Sequence, residues 1–273
     1  MTAMIHPTAI VHPSARIEQG VSIGPYAVIG EGVTVGAGTS IGSHSVVEFA
    51  AIGKNCRISP HAVVGTPPQD FKYNNEPTKL IMGDNCVVRE CVTLNRGTLA
   101  DGGDGATVIG NDCYFMAYSH VAHDCMVGNG AVLVNCAALA GHVTLGDYVM
   151  IGGLSAVHQF VRVGTLVMVG GATGVERDAP PFSMIEGNRG KLMGLNMVGL
   201  RRRGFNRAQV SAIHKAYETL FHSGRPLADA LVLLEQGNPG PELHSLIDFL
   251  KAPSKRGITR PEKTAQAAEA VVS

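Results

Sequence analysis

A six-residue apolar repeat is the feature that most constrains how this chain can fold. Between residues 109 and 175 every sixth residue is apolar, and the fifth residue of each unit is usually small or β-branched. A period of six matches neither the 3.6-residue period of a helix nor the two-residue period of an exposed strand. It is typical of a parallel β-helix built from hexapeptides. The apolar positions are Ile109, Phe115, Val121, Val127, Leu133, Leu139, Leu145, Ile151, Val157, Val163, Val169 and Val175.

The same repeat begins near the N-terminus at Ile5, slips by one residue after Ile41, resumes at Val46 and returns at Met82. Each unit is expected to form a very short strand and a turn, with Gly, Asp or Asn at the strained corner. A strand this short cannot bury itself, so stability must come from the stacking of successive coils. Three units per coil predict about nine coils and a prism about 40 Å tall.

Two segments interrupt the coils, and the repeat ends at the pair Pro180-Pro181. Segment 66–80 is polar and aromatic, whereas segment 96–107 is rich in Gly and Asp and suggests a flexible flap or a tolerated insertion. Loops that leave a rigid scaffold commonly carry binding residues. We therefore predict a mainly β fold, with a β-helix over residues 1–190 that includes both loops. A small helical C-terminal domain is predicted over 191–273, with a flexible tail from about Lys251.

Composition excludes several classes of protein. The net charge is zero, so no overall field attracts nucleic acid. No apolar run approaches the ~18 residues of a membrane span, and the N-terminus lacks the pattern of a secretion signal, so a cytoplasmic protein is expected. Four cysteines take the inward fifth place of a hexapeptide, which favours packing over metal binding. These are Cys56, Cys86, Cys113 and Cys125.

A basic segment stands out against this neutral background. Residues 189–207 contain six Lys or Arg and no acidic residue. Such a segment can be a solvated turn before the helix that begins near Asn206, where Gln209 completes a capping box. It can equally bind phosphates or an acidic partner.

Histidines that are scattered along the sequence are expected to meet in the fold. With three units per coil, residues 18 apart lie on one vertical line, which places Asp124 one rung, ~4.8 Å, from His142. His120 and His158 fall on the same run of coils, so four histidines gather on one flank. The two adjacent columns are His123–Gly141–Gln159 and Asp124–His142–Phe160.

Three interpretations of this cluster follow from the residues alone. Histidine tolerates exposed turns and can cluster by accident. Three imidazoles could instead hold a zinc ion with an open position. The third interpretation is a proton-transfer site in which histidine is the general base, and the dense polar column beside a glycine favours it.

The motifs resemble those of a known family. The segments are QDFKY with EPT (69–78), HVAHDCMVGN (120–129), LAGHV (139–143), GGLSAVHQF (152–160), MVGGATGV (168–175) and GLNMVGLRRRGF (194–205). They are similar to those of bacterial hexapeptide acyltransferases, and in particular of the acyl-carrier-protein–UDP-N-acetylglucosamine O-acyltransferases that begin lipid A biosynthesis. The resemblance implies a left-handed β-helix, against the usual right-handed rule for parallel crossovers. It also implies a homotrimer with active sites between neighbouring prisms.

The resemblance also implies an activity and its catalytic residues. The enzyme would transfer a 3-hydroxyacyl group from acyl carrier protein to the glucosamine 3-hydroxyl of UDP-N-acetylglucosamine. His123 would be the general base, Asp124 would orient it, and the backbone N–H of Gly141 would stabilise the oxyanion. A glycine at 141 would also leave room for the thioester. No metal or other cofactor is implied, because a thioester is already activated.

Further residues are implied to bind the substrates. Asp70 and Lys72 would hold sugar hydroxyls and phosphate, and Gly171 would leave space for a longer acyl chain. Asn95 stands where some relatives have His, and Val198 stands where some have an acidic residue. The other implied binding residues are His120, His142, His158 and Gln159 for the sugar nucleotide, and Asn196, Arg202 and Arg203 for the donor arm or the diphosphate.

Three alternatives remain open at this point. The first is an acyltransferase acting on another sugar nucleotide or on an amine. The second is a zinc-dependent γ-class carbonic anhydrase, which shares the prism. The pair His120-x-x-His123 does not have the histidine spacing of that family. The third is a non-catalytic scaffold that uses the flat faces of the prism.

Overall fold

A computed structural model describes residues 2–262 of the chain. Most strands are two residues long, because the rest of each hexapeptide forms a turn. The strands before the first loop, β1 to β11, are Met4–Ile5, Ile10–Val11, Arg16–Ile17, Ser22–Ile23, Val28–Ile29, Thr34–Val35, Ser40–Ile41, Val46–Val47, Ala50–Ile52, Arg57–Ile58 and Val63–Thr66. The strands of the later coils, β12 to β26, are Lys79–Met82, Val87–Val88, Thr93–Asn95, Ala106–Ile109, Tyr114–Phe115, His120–Val121, Met126–Val127, Val132–Leu133, Ala138–Leu139, Thr144–Leu145, Met150–Ile151, Ala156–Val157, Arg162–Val163, Met168–Val169 and Gly174–Val175.

The strands form the three flat faces of a prism. Face A has the order β1-β4-β7-β10-β13-β16-β19-β22-β25, face B has β2-β5-β8-β11-β14-β17-β20-β23-β26, and face C has β3-β6-β9-β12-β15-β18-β21-β24. All of these neighbours are parallel, and Phe115 pairs with Leu133, which pairs with Ile151. The predicted column spacing is therefore confirmed through the central coils. From Ile23 onward the apolar residue of each unit is buried in the core, except that Val47, and not the predicted Val46, is the buried residue where the repeat slips. All four cysteines of the fifth place are buried there, as expected.

Both predicted loops are present, and they leave the prism at the same edge. The first runs from the end of β11 on face B to β12 on face C, and the second runs from the end of β14 to β15 with a short 3₁₀ turn at Ala100–Gly102. We call this edge the B/C corner. The turn that follows β17 forms the same corner one coil further along the prism. The two interruptions of the repeat therefore flank one position of the scaffold.

The prism ends in an antiparallel hairpin, not at the predicted boundary. Strand β27 (Ser183–Glu186) extends face A, and β28 (Lys191–Leu195) pairs with it antiparallel, so the boundary expected at residue 190 lies inside this hairpin. The helices begin afterwards. They are α1 (Met197–Arg202), α2 (Arg207–Tyr217) with a π-helical turn at Glu218–His222, α3 (Leu227–Gln236) and α4 (Pro241–Lys251).

The helices pack on one another and on the end of the prism. Asn206 and Gln209 form the expected capping box at the start of α2. The buried Tyr217 hydroxyl donates to the carbonyl groups of Pro180 and Pro181, where the repeat ends. No helix within residues 2–262 is long and apolar enough to cross a membrane.

The segment after α4 corrects one prediction. The flexible tail expected from Lys251 is wrong for residues 252–260, because this segment returns to the prism. Thr259 is buried and its N–H donates to the carbonyl of Asp178 at 2.8 Å, while the Asp178 N–H donates to Gly257. The sequence is polar because these contacts are made by backbone and side-chain polar groups. The part of the predicted tail at 263–273 lies outside the described residues.

Candidate active site

The B/C corner brings the sequence-predicted histidines and carboxylates together. His123 and Asp124 follow β17, and Gly141 and His142 follow β20 one coil above, where the His142 N–H donates to the His123 carbonyl at 3.0 Å. Asp124, His142 and Phe160 all have positive φ angles between 57° and 66°, which is the strained corner position of each coil. The repeat thus aims each of these side chains from a fixed backbone position.

His123 and Asp124 form a buried hydrogen-bonded pair. His123 Nδ1 lies 2.8 Å from Asp124 Oδ2, and both residues are less than a tenth exposed. His142 Nε2 lies further from the same oxygen, at 3.7 Å. The expectation from the columns that Asp124 lies nearer to His142 than to His123 is therefore wrong. Column spacing reflects backbone rungs, whereas the side chains at a corner fan out, so that Asp124 turns toward the preceding residue.

Asp124 is fixed by a residue that the sequence analysis missed. The buried Thr98, in the second loop, donates its backbone N–H to Oδ1 at 2.9 Å and its hydroxyl to Oδ2 at 2.7 Å. Burial alone would raise the pKa of the Asp124 carboxyl, but the hydrogen bonds from His123 and Thr98 outweigh it and hold that pKa below its ordinary value. The segment expected as a flap or a tolerated insertion therefore supports the site. Its only sequence signal was a threonine among glycines.

Gly141 lies directly against the imidazole of His123. A Cβ added at Gly141 would lie 2.5 Å from both Nε2 and Cε1 of His123. The glycine was expected to keep space for a thioester, whereas its closest neighbour is the histidine itself. No carbonyl or side chain within residues 2–262 accepts the Gly141 N–H. Its N–H can therefore serve another acceptor beside Nε2.

His142 has a different environment from His123. Its ring stacks on Phe160 with centroids 4.7 Å apart and meets the His123 ring edge-on at 5.2 Å. Burial lowers the pKa of His142 below its ordinary value, although the Asp124 carboxylate acts in the opposite direction. A neutral His142 therefore packs behind the pair and leaves the negative charge of Asp124 to His123.

A cavity of about 500 Å³ opens in front of His123. Asp70 and Lys72 of the first loop line it. Asp70 Oδ2 lies 3.7 Å from His123 Nε2, and Lys72 Nζ forms a 2.6 Å ion pair with Asp101 of the second loop. The remaining lining residues include Gln69, Phe71, His120, Ala138, Gly141, Ala156 and Gln159.

Two of the other predicted histidines differ in their placement. His120 lines the cavity, and its Nδ1 lies 2.7 Å from the hydroxyl oxygen of Thr93. Burial lowers the pKa of His120. His158 is exposed and does not line the cavity, and its Nδ1 lies 3.2 Å from the carbonyl oxygen of Gln159. The expected cluster of four histidines is thus a group of three, with His158 facing outward.

The first loop is anchored by two buried residues at the end of β14. Arg96 donates to the carbonyl of Gly65 at 3.1 Å and to the hydroxyl of Tyr73 at 3.0 Å. Asn95, where some relatives have histidine, donates its amide to the carbonyl of Pro67 at 3.1 Å. Asn95 therefore holds the base of the loop in this chain. Neither residue carried a functional signal in the sequence beyond the departure at Asn95.

The residues predicted to bind the donor arm line a second cavity, on face A. It has a volume of about 630 Å³ and includes Tyr148, Met168, Arg202 and Arg203. Arg203 lies over the Tyr148 ring, 3.5 Å from its centroid. Asn196 caps α1 by accepting from the Gly199 N–H, and its amide donates to the carbonyl of Leu166. The second cavity shares no lining residue with the cavity at His123.

Two more predicted positions lie elsewhere on the prism. Gly171 is exposed at the turn between β25 and β26, which belongs to the corner between faces A and B, and neither cavity includes it. A Cβ added there would meet only the Gly153 carbonyl oxygen, at 3.5 Å. Val198 is more than half exposed at the mouth of the second cavity.

One group among the described residues has the composition of a metal site. His123, Asp124 and His142 each offer an atom, and these atoms lie within 4.8 Å of one another. Two of the three are already joined by the 2.8 Å hydrogen bond between His123 and Asp124. The arrangement therefore suits an imidazole held by a carboxylate better than three ligands around one ion.

Comparison with known proteins agrees with this geometry. Residues 106–141 match the family model of the bacterial transferase hexapeptide (six repeats), and residues 178–259 match that of domain 2 of UDP-N-acetylglucosamine O-acyltransferase. Residues 1–102 match the model of the GMPPB C-terminal domain. The prism is thus that of the hexapeptide acyltransferases, a left-handed parallel β-helix followed by a small helical part.

The similar proteins narrow this class to one family. The acyl-(acyl-carrier-protein)–UDP-N-acetylglucosamine O-acyltransferase of Thermodesulfovibrio yellowstonii is 51% identical over 77% of this chain and 80% of its own length. The enzyme of the same name from Nautilia profundicola is 45% identical over 76% of this chain and 79% of its own length. The crystal structure of LpxA from Acinetobacter baumannii matches with a TM-score of 0.91 and 41% identity, covering 94% of this chain and all of the other. The structure of the UDP-N-acetylglucosamine acyltransferase of Francisella novicida matches with a TM-score of 0.92 and 35% identity, covering 97% of this chain and 96% of the other. This chain belongs to the family of acyl-carrier-protein–UDP-N-acetylglucosamine O-acyltransferases.

Proposed function

We propose that the protein transfers a 3-hydroxyacyl group from acyl carrier protein to the glucosamine 3-hydroxyl of UDP-N-acetylglucosamine, the first step of lipid A biosynthesis, with His123 as the general base. The observation that carries the catalytic assignment is the buried chain from Thr98 through Asp124 to His123 Nδ1, which leaves Nε2 facing a cavity. A base must have its lone pair aimed at the proton that it removes. With the proton of His123 on Nδ1 and donated to Asp124, Nε2 has that lone pair.

The reaction follows from this geometry. Nε2 takes the proton of the 3-hydroxyl, and the oxygen attacks the carbonyl carbon of the thioester. The resulting oxyanion accepts a hydrogen bond from the Gly141 N–H beside the imidazole. The tetrahedral intermediate then expels the carrier thiolate, which receives the proton from the imidazolium. The Asp124 carboxylate stabilises the positive charge of His123 between the two transfers.

The loop residues are proposed to hold the sugar nucleotide. Asp70, near Nε2, accepts hydrogen bonds from sugar hydroxyls, and His120 and Gln159 contact the sugar nucleotide from the wall of the cavity. Lys72 binds a phosphate, for which it exchanges its ion pair with Asp101. The first loop is anchored by Asn95 and Arg96, and the second by the hydrogen bonds from Thr98 to Asp124, so a substrate held by them is fixed relative to the base.

The chemistry is proposed to need no resident metal or other cofactor. A thioester carbonyl is already activated toward an alcohol, and the base and oxyanion donor are supplied by His123 and Gly141. Turnover should therefore survive dialysis against a strong chelator. A rate that falls after chelation and returns with zinc would favour a metal held by His123, Asp124 and His142 instead.

We also propose that the protein is a homotrimer in which each active site lies between two copies. The support is that Arg202 and Arg203 line a cavity on face A, whereas His123 faces a cavity near face B of the same chain. If face A of one copy meets face B of the next, the two cavities combine. The exposed apolar side chains Tyr118 and Leu154, at the corner between faces A and B, are suited to such burial.

Subunit complementation tests the shared site. His123→Ala and Arg203→Ala are each expected to inactivate the enzyme. Co-expressed at equal levels, they should recover about a quarter of the wild-type activity, because that fraction of sites combines an intact His123 with an intact Arg203. If no activity were recovered, both residues would belong to the same copy. Light scattering on each protein would report the oligomeric state.

Gly171 is proposed to limit the length of the acyl chain. It leaves open space beside Gly153 at the corner between faces A and B, so a long acyl chain can pass. Gly171→Met should shift the preference toward shorter donors. An unchanged chain-length profile would remove Gly171 from this role.

The assay that tests the whole proposal uses a panel of acceptors and donors. Purified protein is incubated with acyl carrier proteins carrying 3-hydroxyacyl chains of several lengths and with UDP-sugars that have a hydroxyl or an amine at position 3. The expected product is the 3-O-acyl derivative of UDP-N-acetylglucosamine. Faster transfer to a 3-amino sugar or to another UDP-sugar would support the alternative acyltransferase. Cell fractionation tests the cytoplasmic location, which stays a prediction.

A further inference from the structure

The catalytic corner contains a continuous ladder of hydrogen-bonded peptide groups. The Asp124 N–H donates to the hydroxyl of Thr107 at 2.9 Å, and the His142 N–H donates to the carbonyl of His123 at 3.0 Å. The Phe160 N–H then donates to the carbonyl of Gly141 at 3.1 Å. Three stacked peptide groups therefore link the residues that hold the base, the oxyanion donor and Gln159.

The top of this ladder is completed by the C-terminal segment instead of another coil. The carbonyl of Gln159, which the next coil would satisfy, accepts a hydrogen bond from Arg256 Nε at 2.7 Å. His158 Nδ1 lies further from the same oxygen, at 3.2 Å. Lys255 Nζ lies 4.0 Å from the centroid of the Phe160 ring, which in turn stacks on His142. The side chain of Arg256 thus lies above the column that ends at Gln159, and that of Lys255 lies above the column that ends at Phe160.

The segment is held in place from both sides of this contact. Ser254 Oγ accepts from the N–H groups of Arg256 and Gly257, which forms a tight turn. Gly257 and Thr259 pair with Asp178, whose buried carboxylate is bound by Arg162 at 2.7 Å. The backbone that carries the Arg256 side chain is therefore fixed relative to the prism.

We propose that Arg256 is a positioning residue of the active site, which fixes the Gln159–Phe160 peptide above Gly141. A charged donor at the end of a hydrogen-bonded chain strengthens and orients the bonds below it. Without Arg256, the carbonyl of Gln159 loses its strongest donor and the turn at 158–161 loosens. Gln159 lines the cavity, and the Phe160 N–H of the same peptide donates to the carbonyl of Gly141, the residue whose N–H is the proposed oxyanion donor, so both sugar binding and oxyanion stabilisation depend on this contact.

The kinetic part of this inference rests on the proposed function, whereas its structural part does not. Arg256→Ala should raise KM for UDP-N-acetylglucosamine and lower kcat, with a combined loss in kcat/KM of about tenfold or more. Arg256→Lys keeps a charged donor and should recover part of the loss. Arg260→Ala is the matched control, because Arg260 is an exposed arginine of the same segment. It should behave like the wild type.

Hydrogen exchange measured by mass spectrometry decides the structural part without any substrate. In Arg256→Ala the amides of Phe160 and His142 should exchange about tenfold faster, while the equivalent corner amides of His44 and His61 stay unchanged. Arg256→Gln, which keeps a neutral donor, provides the same comparison if the alanine variant does not fold. Exchange at Phe160 and His142 that matches the Arg260→Ala control would overturn the inference. If the wild-type protein failed to acylate the sugar nucleotide, the proposed function would fall while the exchange result still stood.

Discussion

Two corners of the prism stack aromatic rings on one another, but only one of them is proposed to be the catalytic site. At the corner between faces A and B, Tyr26, His44 and His61 stack with ring centroids 5.1 Å apart. At the B/C corner, His142 and Phe160 stack at 4.7 Å. In both places the rings belong to residues with positive φ, and the coil spacing alone brings them together.

The difference between the corners lies in burial and in one residue of the column. The rings of Tyr26, His44 and His61 are exposed. At the B/C corner the column begins with a buried carboxylate, Asp124, in place of a ring. His123 stands one position before that carboxylate, where its imidazole turns back to bind it. A stacked histidine therefore fills a corner, whereas a histidine beside a carboxylate at the corner can transfer a proton.

The largest effect that tests this comparison is the loss of the base. His123→Ala should lower kcat by about a thousandfold, because general base catalysis contributes on the order of 10² to 10⁴ in rate. His44→Ala makes the same substitution in the exposed stack and should leave kcat unchanged. Both variants should melt as single folded species by circular dichroism.

Two outcomes would break the comparison between the corners. A His123→Ala enzyme with near-normal turnover would show that the buried pair is structural. An equal loss in both variants would mean that stacking at either corner supports the fold required for activity.

A smaller but still large effect is expected at Gly141. In Gly141→Ala the new Cβ would lie 2.5 Å from His123 Nε2, so the imidazole must shift from its present position. A displacement of about 1 Å can cost about a hundredfold in rate, and kcat is expected to fall by about that factor. Gly237→Ala is a suitable control, because a Cβ there meets nothing closer than 3.4 Å. Full activity in Gly141→Ala, measured by initial rates, would show that the ring position is not critical.

The repeat predicts most of this fold, and it predicts the site only in part. The 18-residue spacing correctly stacks His123 below Gly141, because backbone pairing in a β-helix has a fixed period. It does not predict which atom Asp124 contacts, since side-chain directions at a corner depend on φ and on local partners. The repeat also does not predict the contacts of Thr98 and Arg256, for a different reason. Each reaches the corner from a loop or a tail whose path no repeat determines.

The smallest expected effect concerns the support of Asp124, which the exposed corner lacks. Thr98→Val removes the hydroxyl donor but keeps the shape and the backbone N–H, so kcat should fall about tenfold and the free energy of unfolding by about 1 kcal/mol at neutral pH. The pKa of Asp124 is lowered in the folded protein, so the stability from this bond is present above the ordinary carboxyl range and is lost as the pH falls through the folded value. The difference in unfolding free energy between wild type and Thr98→Val should therefore shrink in acid. Urea unfolding at neutral pH and near pH 3 measures it, with Thr98→Ser, which retains the hydroxyl, as the control. A difference that stays constant with pH would mean that Thr98 acts through packing, and the distinction between the two corners would then rest on His123 and Asp124 alone.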